Sequence, residues 1–246
     1  MDQLVEMRQI TKTFGPVVAL RGVDFAVRAG EVAGLVGDNG AGKSTLMKIL
    51  TGVYQPDGGE IWFDDRRVHF TSPLDSRQAG IEMVYQDLGL AENLTPIANI
   101  FLGREITRRR AGLRLLDEAQ MARVARERIE GLQIRLPSLS LPVERLSGGQ
   151  RQSVAIARAT AFQAKLVIMD EPAASLAVSE AAKVLGLIKR LREHGVAVIL
   201  ISHRLQDVLD VADRIVVLNR GAKAGDLRRE EATMEGVVSL IVGGGG

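Results

Sequence analysis

Gly37-Asp38-Asn39-Gly40-Ala41-Gly42-Lys43-Ser44-Thr45 is a complete G-x-x-x-x-G-K-[ST] stretch, and its flanks decide how it is read. Residues 32–36 before it form an apolar, strand-like run, and 46–50 after it read as helix. Strand, glycine loop and helix in that order are the setting a phosphate-binding loop requires. Gly37, Gly40 and Gly42 let the backbone curl until several N–H groups converge, and the following helix adds its positive end. Lys43 then reaches the β- and γ-phosphates of a nucleoside triphosphate, and Ser44 ligates Mg²⁺. The bland alternative, a glycine-rich turn with no ligand, does not survive that context.

The chain has 246 residues, 46% of them hydrophobic, enough for a full core in one large domain or two small ones. No run approaches the roughly 18 apolar residues of a membrane span, and residues 1–9 lack a signal-peptide pattern, so a soluble, cytosolic chain is expected. With no cysteine there is neither a disulfide nor a thiolate metal site, and three scattered histidines leave little scope for a histidine-based one. Any metal is therefore expected to arrive with the nucleotide. A net charge of +2 gives no electrostatic footprint for nucleic acid. The one basic cluster, Arg104 and residues 108–114, reads as a solvated helix face or loop, with partner docking as the alternative.

Strand-like runs recur at 4–10, 17–20, 22–27, 32–36, 60–63, 81–85, 166–169, 196–201 and 215–218. The later ones alternate with helical stretches at 179–193 and 205–211, which predicts a parallel α/β core with antiparallel strands added near the start. Between 88 and 146 the texture changes. Residues 117–132 carry apolar side chains at helical spacing amid Arg and Glu, and the block lacks strong strand signals, so it reads as a helical insertion closed by the proline-flanked loop 137–142. There is one phosphate loop and no long repeat, hence one nucleotide site. Residues 243–246 read as a flexible end.

Two further constellations carry chemistry. Leu166-Val-Ile-Met-Asp170-Glu171 is a buried strand ending in adjacent carboxylates, which the sheet presents toward the phosphate loop. There Asp170 holds Mg²⁺ through water and Glu171 orients or deprotonates the attacking water. Leu146-Ser147-Gly148-Gly149-Gln150 precedes an amphipathic helix with Ser147 as N-cap, and its glycines leave N–H groups uncovered, a second anion site.

Together with His203 after the 196–201 strand, these motifs resemble the ATPase subunit of an ABC transporter, over essentially the whole chain. Leu-Ser-Gly-Gly-Gln is the most specific of them. The resemblance implies an α/β P-loop NTPase (RecA-like) core at 1–86 and 160–246, with an N-terminal antiparallel β-subdomain and an inserted α-helical subdomain at 87–159. All of it belongs to one ATPase domain, 1–246. Matched residue by residue, Phe14 stacks on adenine, while Gln86 touches Mg²⁺ and senses the γ-phosphate where the helical subdomain joins. His203 contacts the γ-phosphate and holds the attacking water. Lys43, Gln86, Glu171 and His203 form the catalytic set. His194 lies at a helix end and is read as a dipole partner, and His69 has no motif around it.

In such proteins two ATPase domains pack head to tail, each ATP lying between one phosphate loop and the other copy's Leu-Ser-Gly-Gly-Gln. The cofactors implied are ATP and Mg²⁺. Implied partners are a second copy, transmembrane permease subunits and, indirectly, a periplasmic or lipid-anchored sugar-binding protein. The implied location is the cytoplasmic face of the bacterial cytoplasmic membrane. Ala177 stands where many members carry an aspartate that supports contact across the dimer. Tyr54-Gln-Pro-Asp-Gly-Gly-Glu-Ile, Phe70-Thr-Ser-Pro-Leu-Asp, Asn99-Ile-Phe-Leu-Gly-Arg-Glu and Met234-Glu-Gly-Val-Val resemble importers of the ribose, xylose and fructose type. The single-domain form is that of fructose-type systems. Competing readings are an importer of another class, such as amino acids, a soluble ABC ATPase acting on nucleic acid or ribosomes, and a non-enzymatic nucleotide binder.

Overall fold

A computed structural model describes residues 3–110 and 113–243. β1 (Gln3–Phe14), β2 (Val17–Arg28), β4 (Gly58–Phe63) and β5 (Arg66–Val68) form an antiparallel sheet in the order β2-β1-β4-β5. A six-stranded sheet runs β12-β11-β3-β10-β9-β6, from β3 (Val32–Val36), β6 (Ile81–Val84), β9 (Leu166–Asp170), β10 (Ala197–Ile201), β11 (Arg214–Asn219) and β12 (Ala222–Arg228). All its neighbours are parallel except the edge strand β12.

The period of two along each strand sorts the apolar residues onto opposite faces of this sheet. Val32, Val36, Val167, Met169, Val198 and Leu200 join the core under α5 (Gly148–Thr160), α6 (Val178–Glu193) and α7 (Leu205–Val211). Ala33, Leu35, Leu166, Ile168, Ile199 and Ile201 face the other way, onto α1 (Lys43–Leu50) and the antiparallel sheet. Buried on both faces, such strands read as the continuous apolar runs seen in the sequence.

The two runs at 17–20 and 22–27 are one strand. Its register with β1 slips by an extra residue at Gly22, and on β1 the Gln9 backbone and side-chain N–H groups both donate to the Asp24 carboxylate, at 2.8 and 2.6 Å. Unanticipated elements are β5, β12, α2 (Pro73–Ala79), α3 (Pro96–Phe101) and α8 (Met234–Val242). Of these α2 was legible, since Thr71-Ser72-Pro73-Leu74-Asp75 folds into a capping box with Pro at the first helical position.

The insertion corrects one expectation. It holds α4 (Glu118–Gly131), as the spacing at 117–132 requires, and the unanticipated α3, but also a hairpin of β7 (Thr107–Arg110) and β8 (Leu113–Leu116). The basic stretch is therefore strand rather than helix face or loop, with Arg108, Arg109 and Arg114 exposed and positions 111 and 112 outside the described residues. Four residues form each strand, too short a run for period two to stand out against dense arginine. Arg104, unlike Arg108, Arg109 and Arg114, is only partly exposed. Its guanidinium donates to the buried Glu82 at 2.6 Å and stacks 4.7 Å from the Phe162 ring centre. The flexible end expected at 243–246 lies outside the described residues except Gly243, the C-cap of α8.

Candidate functional site

β3 ends at Val36, and the glycine loop carries the chain over the sheet edge into α1. Gly42 is the N-cap of α1 at φ +103°, and a Cβ there would lie 2.9 Å from the Ala19 carbonyl oxygen. Only glycine meets both demands, the left-handed backbone and the close approach of β2. The Lys43 ammonium donates to the Gly37 carbonyl at 2.6 Å and the Asp38 carbonyl at 3.0 Å, tying the loop to its helix. Burial pulls the Lys43 pKa below its ordinary value, while Glu171, Asp170 and Asp38 act in the opposite sense.

Asp170 and Glu171 come from the end of β9, whereas Asp38 belongs to the glycine loop itself. Asp170 pairs in register with Ile201 of β10, and the Glu171 N–H donates to the Ile201 carbonyl at 2.9 Å. Glu171 sits at φ +51°, a left-handed conformation that costs a non-glycine residue of order 1 kcal/mol or more and that clusters at functional sites. The turn it makes sends its carboxylate toward the loop after β10. There the His203 N–H donates to Oε1 at 2.9 Å, and His203 Nδ1 lies 2.8 Å from Oε2 without the alignment of a hydrogen bond. Burial pushes the Asp170 carboxyl pKa up, as does the neighbouring Glu171, against the pull of Lys43 and Lys48. An added cation would relieve that penalty, so Asp170 fits a Mg²⁺ ligand. No group of three His, Asp or Glu side chains among the described residues could hold a metal. Mg²⁺ at Asp170 and the exposed Ser44 would therefore need phosphate oxygens to complete its shell.

Ser147 caps α5 as its composition requires. Its Oγ accepts from the Gln150 N–H at 3.3 Å, while Gln150 Oε1 accepts from the Ser147 N–H at 2.9 Å. Gly149 is buried, and a Cβ there would lie 2.9 Å from the Glu180 Cβ, so glycine here lets α5 and α6 touch. Ser147, Gly149 and Gln150 border a groove of about 570 Å³ shared with α6, whereas Asp38, Asn39, Gly40 and Ala41 border another of about 240 Å³ beside Asn219 and Val242. The Ser147 turn and the glycine loop thus line different grooves of one chain. Gln86 and Glu171, by contrast, line one cleft of about 250 Å³, which Gly148 also lines.

Phe14 is not core. It stands 41% exposed at the tip of the β1–β2 hairpin, edge-on to Tyr54 with ring centres 5.2 Å apart and the Lys12 ammonium 5.5 Å from its ring. Tyr54 escaped the reading of single residues, because nothing in sequence joins it to a ring forty positions away. His194 is the C-cap of α6, with Nδ1 2.7 Å from the Arg190 carbonyl oxygen, in keeping with a dipole partner.

Ala177 is the N-cap of α6 and supplies no side-chain acceptor. Ala177→Asp is expected to stabilise the protein by about 1 kcal/mol through capping, a rise in Tm of roughly 2–4 °C. Differential scanning calorimetry checks this, and an unchanged or lowered Tm would show that the missing cap is satisfied in another way.

A family profile described as ABC transporter matches residues 20–174, which holds the phosphate loop, the signature turn and both carboxylates. The chain belongs to the ABC transporter family. Curated ABC relatives align along almost all of it. The xylose/arabinose import ATP-binding protein of Sulfolobus acidocaldarius is 45% identical, over 98% of this chain and 94% of its own. The fructose import ATP-binding protein of Rhizobium meliloti is 42% identical, over 98% and 95%. A ribose import ATP-binding protein of Burkholderia ambifaria is 44% identical over 98% of this chain, which spans 46% of that longer protein. Among solved ABC cassettes, a nucleotide-free one superposes with a TM-score of 0.83 at 28% identity, covering 97% of this chain and 96% of its own. One in its ADP conformation gives 0.84 at 28%, covering 99% and 100%.

Proposed function

We propose that this ABC protein is the ATP-hydrolysing subunit of a monosaccharide importer. It acts at the cytoplasmic face of the bacterial membrane as a homodimer bound to transmembrane permease subunits. The observation that carries the reading is the meeting of Lys43, Asp170, Glu171 and His203 at the ends of neighbouring parallel strands. End-to-end similarity to three sugar-import ATP-binding proteins supports the substrate class. We read 87–159 as the helical subdomain, set into a core of 1–86 and 160–246.

In this reading the glycine-loop N–H groups and Lys43 hold the β- and γ-phosphates, and Phe14 offers its exposed face to adenine. Ser44, Gln86 and Asp170 would hold Mg²⁺ carried in with ATP, which would supply neutralisation of phosphate charge. Glu171, held by the His203 N–H, takes the proton of the attacking water at a carboxylate oxygen. His203 steadies that water and the γ-phosphate. Gly148 and Gly149 present their N–H groups to the partner copy's nucleotide, framed by Ser147 and Gln150, whose own N–H groups are taken up by the capping box. No helix among the described residues is long and apolar enough to cross a membrane, so the transport path belongs to the permease. A periplasmic or lipid-anchored sugar-binding protein would deliver the sugar outside.

The chain expressed in its native host is expected to sediment with membranes and to co-purify with an integral membrane protein. In proteoliposomes its ATP turnover should rise when sugar-loaded binding protein is added. Recovery of the chain on nucleic acid or ribosomes, with no integral membrane partner, would overturn the transport reading.

A further inference from the structure

Gln152 lies one turn into α5, 5% exposed, and its Nε2 is buried with no hydrogen-bond partner. An amide donor left in that state keeps its desolvation penalty unrepaid, so a residue that keeps it asks for an explanation. Its surroundings supply one. Gln152 lines the cleft that also holds Gln86 and Glu171, and Glu171 Oε2 is the other buried atom there without a hydrogen bond. Gln152, whose Nε2 lacks an acceptor, and Glu171, whose Oε2 has only the misaligned His203 Nδ1 at 2.8 Å, thus line one cleft of about 250 Å³. That is ample for a water, which needs only ~10–15 Å³ of such space.

From this juxtaposition we infer that Gln152 is a positioning residue for Glu171, its Nε2 donating to Oε2 directly or through one water when the carboxylate is in its working orientation. The His203 N–H holds Oε1, and Gln152 fixes the second oxygen, so that the carboxylate cannot rotate out of line. The inference rests on the reading of Glu171 as the group that activates water. It adds a connection that the motifs do not record. The first turn of α5 carries the signature residues offered to the partner's nucleotide, and its next turn reaches the chain's own base. Movement of α5 would then reach Glu171 through one side chain.

The test uses Gln152→Met, which keeps length and volume but removes the donor. Expected are a roughly tenfold fall in kcat, a KM for MgATP within twofold of the parent, and an undiminished Tm, since the change also removes a buried unpaired amide. A kcat within twofold of the parent would overturn the inference. So would a joint change of kcat and KM with a lowered Tm, which marks a merely structural role. If the methionine variant does not fold, Gln152→Glu, which keeps the shape but sets a like charge beside Glu171, is judged by the same kcat and KM criteria. Glu171→Gln measured alongside separates the two claims. Normal turnover there removes the role of Glu171 itself, whereas an inactive Glu171→Gln beside a normal Gln152→Met removes only the role of Gln152.

Discussion

Glu171→Gln is expected to lower ATP turnover by about 10²–10⁴, the range that a positioned general base contributes, while ATP binding stays within a few-fold of the parent. The amide keeps the size of the side chain, and its oxygen can still accept the His203 N–H that now reaches Oε1 at 2.9 Å. What it cannot do is take a proton. Binding should not suffer, because Glu171 is one of the causes that push the Asp170 carboxyl up, and a neutral neighbour leaves Asp170 freer to stay ionised beside a cation. The left-handed turn at residue 171 is a backbone feature and persists in the variant. Steady-state phosphate release together with a fluorescent-ATP titration separates the two quantities. Near-normal turnover would remove Glu171 from its role, and lost binding would make it a ligand for the nucleotide rather than a base.

The parts of the molecule that were legible are those where short-range chemistry decides the outcome. The phosphate loop, the Ser147 cap and the Asp170-Glu171 strand end each depend on a few consecutive residues, and each stands where the sequence puts it. The buried parallel strands announced themselves because both of their faces need apolar side chains. What stayed hidden depends on pairing at a distance. The β7–β8 hairpin has four residues a side, none of them apolar in β7 and leucines at 113, 115 and 116 in β8, too short a run for period two to give it a voice. Gln152 reads as one more polar residue on an amphipathic helix until the fold makes it line the same cleft as Glu171. Tyr54 and Phe14 meet only after β4 has paired with β1. The separation of Ser147 from the glycine loop onto different grooves is likewise a property of the whole chain, and it is the one that bears most on mechanism.

The glycine loop and the Ser147 turn of a single copy line different grooves. On the proposed reading neither alone surrounds a triphosphate, and two copies head to tail would bring each glycine loop against the other's Ser147 turn, with ATP bridging the interface in two places. Because the nucleotide makes more contacts in the closed pair than in the open chain, it shifts the population toward the pair. Hydrolysis removes the γ-phosphate and with it part of that difference, so only a variant that binds but does not turn over should accumulate the closed form. Multi-angle light scattering of Glu171→Gln at saturating MgATP is therefore the most direct test of the account. The prediction is a shift from the 26.6 kDa monomer without nucleotide to twice that mass with it, abolished by adding Ser147→Arg. A monomer at saturating MgATP, or a dimer indifferent to Ser147→Arg, would contradict it.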